Sequence, residues 1–233
     1  MTASSGGSAQ QPQREAPTMP ERKPVPDPTL LRICRYLRIL ERQDEPTISS
    51  AAIAEAAGVN AAQVRKDLSF FGEFGQPGVG YDVKQLLGSL KRMMGLDRQR
   101  EVVVVGAGAL GSALINYPGF EDRGFRIVAL FDNNPAKIGH RLRGYEVMPM
   151  ERLAETIAQR RVSLGIIAVP RAAAQDVADA LIEAGVKGIL NFAPVTLKVP
   201  DGVVVRAVDL TLQLETLAYH IETDAPPHSS TTA

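Results

Sequence analysis

Between Glu101 and Asp132 the chain reads EVVVVGAGALGSALINYPGFEDRGFRIVALFD, and no other stretch limits its fold so tightly. Four consecutive valines have the unbroken β-branched character of a strand buried on both faces of a parallel sheet. They enter Gly106-Ala107-Gly108-Ala109-Leu110-Gly111, and a second apolar run, Ile127–Phe131, ends on Asp132. A lone GxGxxG is a weak signal, but here every neighbour that its mechanism needs is in place. Gly106 permits the tight turn, Gly108 lets backbone approach a pyrophosphate, and Gly111 lets helix and strand pack closely. The free amides of the first helical turn, Ala109 and Leu110 among them, face the anion. Asp132 is placed to accept hydrogen bonds from an adenosine ribose and to repel a 2′-phosphate. The segment therefore reads as a site for NADH or NAD+ rather than for the 2′-phosphorylated forms.

A length of 233 residues suits one large domain or two small ones. Lys and Arg total 26, as do Asp and Glu, so bulk charge points to no polyanionic partner. Nucleic acid could be held only by basic groups placed locally. Cys34 is the sole cysteine, and His140, His220 and His228 are scattered, so neither a disulfide framework nor a metal centre is expected. The N-terminus lacks the apolar core of a signal peptide, and no apolar run reaches membrane-spanning length. The expected place is the cytoplasm, without membrane attachment.

Residues 1–26 and 223–233 are rich in Pro, Ser and other polar residues and read as disordered arms. Between them the pattern changes near Met94–Arg100, from helical periodicity to short β-branched runs alternating with helical ones. The expected division is a head over 27–97, a dinucleotide-binding domain over 98–208 and a terminal helix over 209–222. Expected strands are Val102–Val105, Arg126–Phe131, Tyr145–Val147, Leu164–Val169, Gly188–Asn191 and Val203–Val208. Expected helices in this half are Leu110–Tyr117, Met150–Gln159, Ala172–Ala184 and Leu210–His220. Val169-Pro170 and Asn191-Phe192 fall at the carboxyl ends of strands, where such sheets bind ligands. A nicotinamide ring could rest there, although loop packing explains those residues equally well.

In the first half, Leu30, Ile33, Cys34, Leu37 and Leu40 form the apolar face of a helix over Thr29–Glu41, with Arg32, Arg35, Arg38 and Arg42 largely elsewhere. Ser49 or Ser50 can cap a short second helix, Gly58 ends it in a left-handed turn, and Asn60 can cap a third from Ala61. Helix, Gly-containing turn and helix at this spacing is a helix-turn-helix. On the third helix Val64, Leu68 and Phe71 share a core face, and Ala62, Lys66 and Ser69 lie opposite, flanked by Gln63 and Arg65. Gln63 and Lys66 can reach base edges or phosphates, and Arg65 and Ser69 can hold the DNA backbone. A solvated helical corner would carry similar residues. The Gly-rich segment Phe74–Tyr81, expected as a hairpin wing with Gln76, Gly78 and Tyr81 at the DNA, favours the nucleic-acid reading.

These residues together resemble the Rex family of bacterial NADH-responsive repressors, from about Pro28 to about His220. The resemblance rests on Tyr36–Leu40, Gln63–Ser69, Gly78–Tyr81, the Gly106–Gly111 turn, Tyr117–Phe120, Phe131-Asp132 and Gly188–Pro194. It implies a homodimer with N-terminal winged helix-turn-helix domains, C-terminal Rossmann domains built on a doubly wound parallel sheet, and a terminal helix swapped into the partner. It also implies binding to double-stranded operator DNA when NADH is scarce, and release when NADH binds. Contacts that couple the domains would fall on Arg38, Tyr117 and Asp209. One departure is Gln76-Pro77, where the family often carries a basic residue able to enter an A·T-rich minor groove. Weaker wing anchoring is expected, or compensation from Arg14, Arg22 and Lys23.

Two other readings stand beside this one. An NAD-dependent dehydrogenase with a helical appendage would need an acid/base group beside the nicotinamide, and neither His140 nor His220 is placed for it. A coenzyme A-binding Rossmann protein would explain Asn191–Pro194, but Asp132 disfavours a ribose bearing a 3′-phosphate.

Overall fold

The computed structural model describes residues 25–75 and 78–223. The sequence expectations for residues 1–24, for Gln76 and Pro77 in the wing, and for residues 224–233 lie outside these.

The head begins with α1 (Asp27–Glu41), whose prolines at its start need no amide partner there. Its buried residues are Thr29, Ile33, Tyr36, Leu37 and Leu40, so the buried face is rotated from the expected one. Leu30 and Cys34 are only half-buried, and Tyr36 takes the centre. After β1 (Thr47–Ile48) come α2 (Ser50–Ala57) and α3 (Ala61–Ser69). The Ser49 hydroxyl accepts the Ala52 amide at 3.1 Å, and Asn60 Oδ1 accepts the Gln63 amide at 2.8 Å. Between them Gly58 adopts φ 68°, the left-handed turn that fixes the angle between the two helices. Val64 and Leu68 join Ile33, Leu37 and Ile53 in the core of the head.

The Gly-rich segment leads from α3 back to the start of α2. Its exit strand, β2 (Tyr81–Asp82), pairs antiparallel with β1, Ile48 opposite Tyr81. Gly80 makes this possible: at φ 97° a Cβ there would lie 2.6 Å from the Ile48 carbonyl oxygen. Tyr81 is thereby only 7% exposed and packs in the core of the head. Expected at the DNA, it lies here mostly inside the head. Then α4 (Val83–Met93), capped by Asp82, closes the head.

The second half holds a seven-stranded sheet. In chain order its elements are β3 (Arg100–Val105), α5 (Ala109–Leu114), α6 (Pro118–Glu121), β4 (Phe125–Asp132), β5 (Arg141–Leu142), β6 (Tyr145–Pro149), α7 (Leu153–Arg160), β7 (Leu164–Ile167), α8 (Ala174–Glu183), β8 (Gly188–Asn191), β9 (Val204–Ala207) and α9 (Leu210–Thr223). The sheet order is β5-β6-β4-β3-β7-β8-β9, parallel throughout except for the β5–β6 edge pair. Winding proceeds outward from β3 in one direction and returns to β7 on its other side, which puts the topological switch point between β3 and β7. Val103 and Val105 pack under α7 and α8, while Val102 and Val104 pack on the opposite face with Ile115 and Ile127. A strand buried on both faces explains the unbroken valine run.

Two expected helices differ in their bounds. Leu110–Tyr117 stops short, α5 ending at Leu114, and a separate one-turn helix, α6, starts at Pro118, whose missing amide suits a first helical position. Met150–Gln159 opens with a 3₁₀ turn before α7. Among the described residues no helix covers the opposite face of the sheet over β7, β8 and β9. An apolar hollow of about 420 Å³ lies there, walled by Phe120, Phe125, Leu164, Leu190 and Val204. No residue of α9 is buried.

Candidate cofactor and nucleic-acid sites

At the switch point a cleft of about 620 Å³ opens between the Gly106–Gly111 turn, the end of β4 and the residues after β7. The three glycines do different work. A Cβ on Gly106, at φ 109°, would lie 2.3 Å from the Ala168 carbonyl oxygen, and one on Gly111 would lie 1.8 Å from that of Gly106. Both positions are closed by backbone. Around Gly108 nothing stands within 4 Å of the missing Cβ, and Gly108 lines the cleft. That open approach is the cradle a pyrophosphate requires.

Asp132 closes the other end of the cleft. It is one of four buried polar or charged residues among those described, with Thr29, Asp67 and Asn191. Oδ1 accepts the Asn134 amide at 2.8 Å, and Oδ2 accepts the Ala107 amide at 2.8 Å and Lys137 Nζ at 3.0 Å. Burial pushes its pKa up, but these donors outweigh burial and hold it below the ordinary carboxylate range. The carboxylate is ionised and fixed at this end of the cleft. Lys137 was missed in the sequence, where a lysine in a polar loop carries no signal; its partner five residues back is the clue.

Val169 and Pro170 line the cleft beside Gly108. Asn191 and Phe192, expected at the cofactor, do not line this cleft. The Asn191 amide, 1% exposed, is used up within its own loop. Its Nδ2 donates to the Ala193 and Val195 carbonyls at 3.1 and 2.9 Å, and its Oδ1 accepts the Ala193 amide at 2.9 Å. Phe192 packs into the core on the α5 face. Asn191 instead borders a neighbouring cleft with Arg171, Pro194 and Asp209. A dinucleotide fits the residues present: glycine cradle, fixed carboxylate, and a wall of Val169, Pro170 and Met150.

In the head, Ala62, Arg65, Lys66 and Ser69 are exposed along α3. Arg65 Nη1 donates to Ser50 Oγ at 3.1 Å, which ties α3 to the start of α2, and Ser69 Oγ donates to the Lys66 carbonyl at 2.7 Å. Gly78, at φ 81°, is exposed. Beneath α3 the Asp67 carboxylate accepts Arg32 Nε at 2.6 Å, Arg32 Nη2 at 2.7 Å and the Tyr36 hydroxyl at 2.9 Å. Thr29 Oγ1 at 3.3 Å and Gln63 Nε2 at 2.8 Å complete its shell. Burial raises its pKa, but the Arg32, Gln63 and Tyr36 hydrogen bonds prevail and hold it below the usual value. Arg32, expected on the open side of α1, is thus part of a buried network.

Arg38, Tyr117 and Asp209 do not meet within one chain. Arg38 and Tyr117 are exposed. Asp209 Oδ1 accepts the Thr211 and Leu212 amides at 2.9 and 3.2 Å at the start of α9. Head and sheet domain are joined instead by Glu41, which is held within the head by Lys91 Nζ at 2.8 Å and accepts Arg123 Nη1 of the sheet domain at 2.5 Å, and by a two-point pair between Arg206 and Asp27. Among the described residues no group of three or more His, Cys, Asp or Glu could hold a metal ion, and no helix is long and apolar enough to cross a membrane.

Two family profiles match: a putative DNA-binding protein N-terminus over residues 24–69 and a CoA binding domain over residues 97–195. The redox-sensing transcriptional repressor Rex of Carboxydothermus hydrogenoformans is 54% identical over 203 residues, which cover 86% of this chain and 98% of that one. RSP, a Rex-family repressor, has been solved in complex with β-NAD+ and operator DNA. That structure is 40% identical, with a TM-score of 0.81, and the likeness covers 87% of this chain and 94% of that one. RSP in complex with β-NADH is 39% identical, with a TM-score of 0.75 and coverage of 86% and 95%.

Proposed function

The chain belongs to the Rex family of redox-sensing transcriptional repressors, and from that premise we propose how its residues carry out the regulation. It is a repressor rather than an enzyme, and its cofactor is NADH or NAD+. The coenzyme A reading gives way, because the family relative RSP binds β-NAD+ and β-NADH. Operator DNA is bound when NADH is scarce and released when NADH fills the cleft beside Gly108. The cytoplasm, where DNA and the NADH pool meet, is its place of action.

The observation that carries this reading is one chain with a winged head, a recognition helix with four exposed small or polar residues, and a glycine-cradled cleft ending on a buried ionised carboxylate. In the cleft, Gly106, Gly108 and Gly111 with the Ala109 and Leu110 amides hold the pyrophosphate, and Asp132 holds the ribose. The bound nicotinamide supplies the redox signal, being cationic when oxidised and neutral when reduced. In the head, Asn60, Ala62, Gln63, Arg65, Lys66, Ser69 and Gly78 face the DNA.

The working unit is a homodimer. Leu210, Leu214 and Leu217 of α9 are each more than half exposed in a single chain, and the bare sheet face over β7–β9 is apolar. An α9 exchanged between two copies and laid on that face would bury both. Asp209 of one copy would then approach Arg38 or Tyr117 of the other. An arginine–carboxylate pair in one state and a tyrosine–carboxylate hydrogen bond in the other would bias a two-state dimer.

The test is fluorescence anisotropy of a palindromic A·T-rich duplex with the full-length protein. NADH should weaken the complex at least about tenfold and NAD+ much less, within the usual span of coupling between sites. Equal affinity with and without NADH would overturn the reading.

A further inference from the structure

We propose that Asp67, buried beneath α3, is a positioning residue for sequence readout: it takes one amide hydrogen of Gln63 and holds that side chain ready to read an adenine. The inference rests on the reading above that α3 enters the major groove, and adds to it which base is read and what fixes the reader.

The argument starts from the Asp67 carboxylate, which is fully buried and accepts from five donor atoms. Four of them belong to Thr29, Arg32 and Tyr36 on α1. Only Gln63 comes from α3, one turn ahead of Asp67 at 2.8 Å. An ionised carboxylate accepts and cannot donate, so the group facing it must be the Gln63 nitrogen and not its oxygen. Asp67 cannot yield, because Arg32 clamps it from two nitrogens and the Tyr36 hydroxyl donates to Oδ2.

With one N–H committed inward, the Gln63 amide keeps Oε1 and its second N–H. One acceptor beside one donor is the pattern that adenine complements through N6 and N7, whereas guanine offers two acceptors there. Gln63 stands between exposed Ala62 and the exposed Lys66 side chain on the same helix, and Ala62 is too small to block approach. The bond to Asp67 holds the Gln63 amide in the free protein, so less side-chain freedom is lost on binding. A glutamine on a bare helix would sample several orientations and discriminate less.

The test uses an operator duplex selected from a random pool, then remade with each base pair replaced in turn. Full-length wild type, Gln63→Met, Asp67→Asn and the double variant are titrated against the panel, with melting temperature and NADH affinity as folding controls. Wild type should lose about tenfold in affinity when one particular A·T pair of each half-site is replaced, the usual worth of a two-point base contact. Gln63→Met should lose that preference, Asp67→Asn should lose most of it although Gln63 remains, and the double variant should lose no more than Gln63→Met. Discrimination at that pair retained by Asp67→Asn, or an affinity loss equal across all duplexes, would overturn the proposal. Should Asp67→Asn fail to fold, side-chain amide NMR of the wild type decides. One Gln63 amide proton should be shifted downfield and protected from exchange; two protons exchanging like those of an exposed glutamine would overturn it. If wild type prefers no duplex over a scrambled one, the operator reading itself has failed.

Discussion

A methyl group added at Gly111 would meet the Gly106 carbonyl oxygen at 1.8 Å, whereas one added at Gly108 meets nothing within 4 Å. The two substitutions therefore separate folding from binding. Gly111→Ala should destabilise the sheet domain by about 1–3 kcal/mol, as overpacking does, and lower its melting temperature. Gly108→Ala should leave the melting temperature unchanged and weaken NADH binding, read from the fluorescence of the bound reduced cofactor. The reverse pattern would place the cradle elsewhere. Asp67 makes a different prediction at the same scale. Its pKa lies below the ordinary 3.8, so its contribution is complete above that value and is lost as pH falls through its lower, folded value. Stability of the head, followed by circular dichroism, should show an acid-side loss that Asp67→Ala lacks. At neutral pH that variant should be less stable by about 2 kcal/mol, less than for a fully buried pair because Arg32 keeps some access to water.

At the scale of elements, α9 is the one whose sequence exceeds what a single chain can use. Leu214 and Leu217 face water in the isolated protomer. Replacing both with Glu should convert the dimer to monomers in sedimentation velocity and leave the fold of the head intact, whereas an unchanged dimer would show that α9 is not the interface. Legibility in the sequence followed the range of the forces involved. The valine run of β3, the Gly turn and the Ser49, Gly58 and Asn60 caps are local devices, so a few adjacent residues announce them. The two-residue strands β1, β2 and β5 have no period to read, and β1 and β2 exist only because residues far apart meet. The Asp67 network links positions 31 to 38 residues apart, and nothing near Arg32 marks it as anything but a surface arginine. For a related reason nothing adjacent in the chain announces that the Asn191 amide bonds within its own loop or that Tyr81 packs in the head. A polar residue near a site can serve the loop or the core instead, and only its partners decide which.

Across the whole molecule, the head is tied to the sheet domain by ion pairs with solvent access rather than by a shared apolar core. Such pairs hold weakly and respond to salt, so the heads can turn relative to the sheets at little cost. A cofactor that favours one arrangement of the dimer by a modest margin can then govern how two heads meet successive grooves. Thermodynamic linkage makes this a two-way relation: whatever factor NADH takes from operator affinity, operator must take from NADH affinity. The most direct measurement is therefore a titration of the dimer with NADH, alone and with saturating operator duplex, beside the converse titration of duplex with and without NADH. The account predicts that the two affinities fall by the same factor. NADH binding with undiminished strength to the DNA-loaded dimer would contradict it.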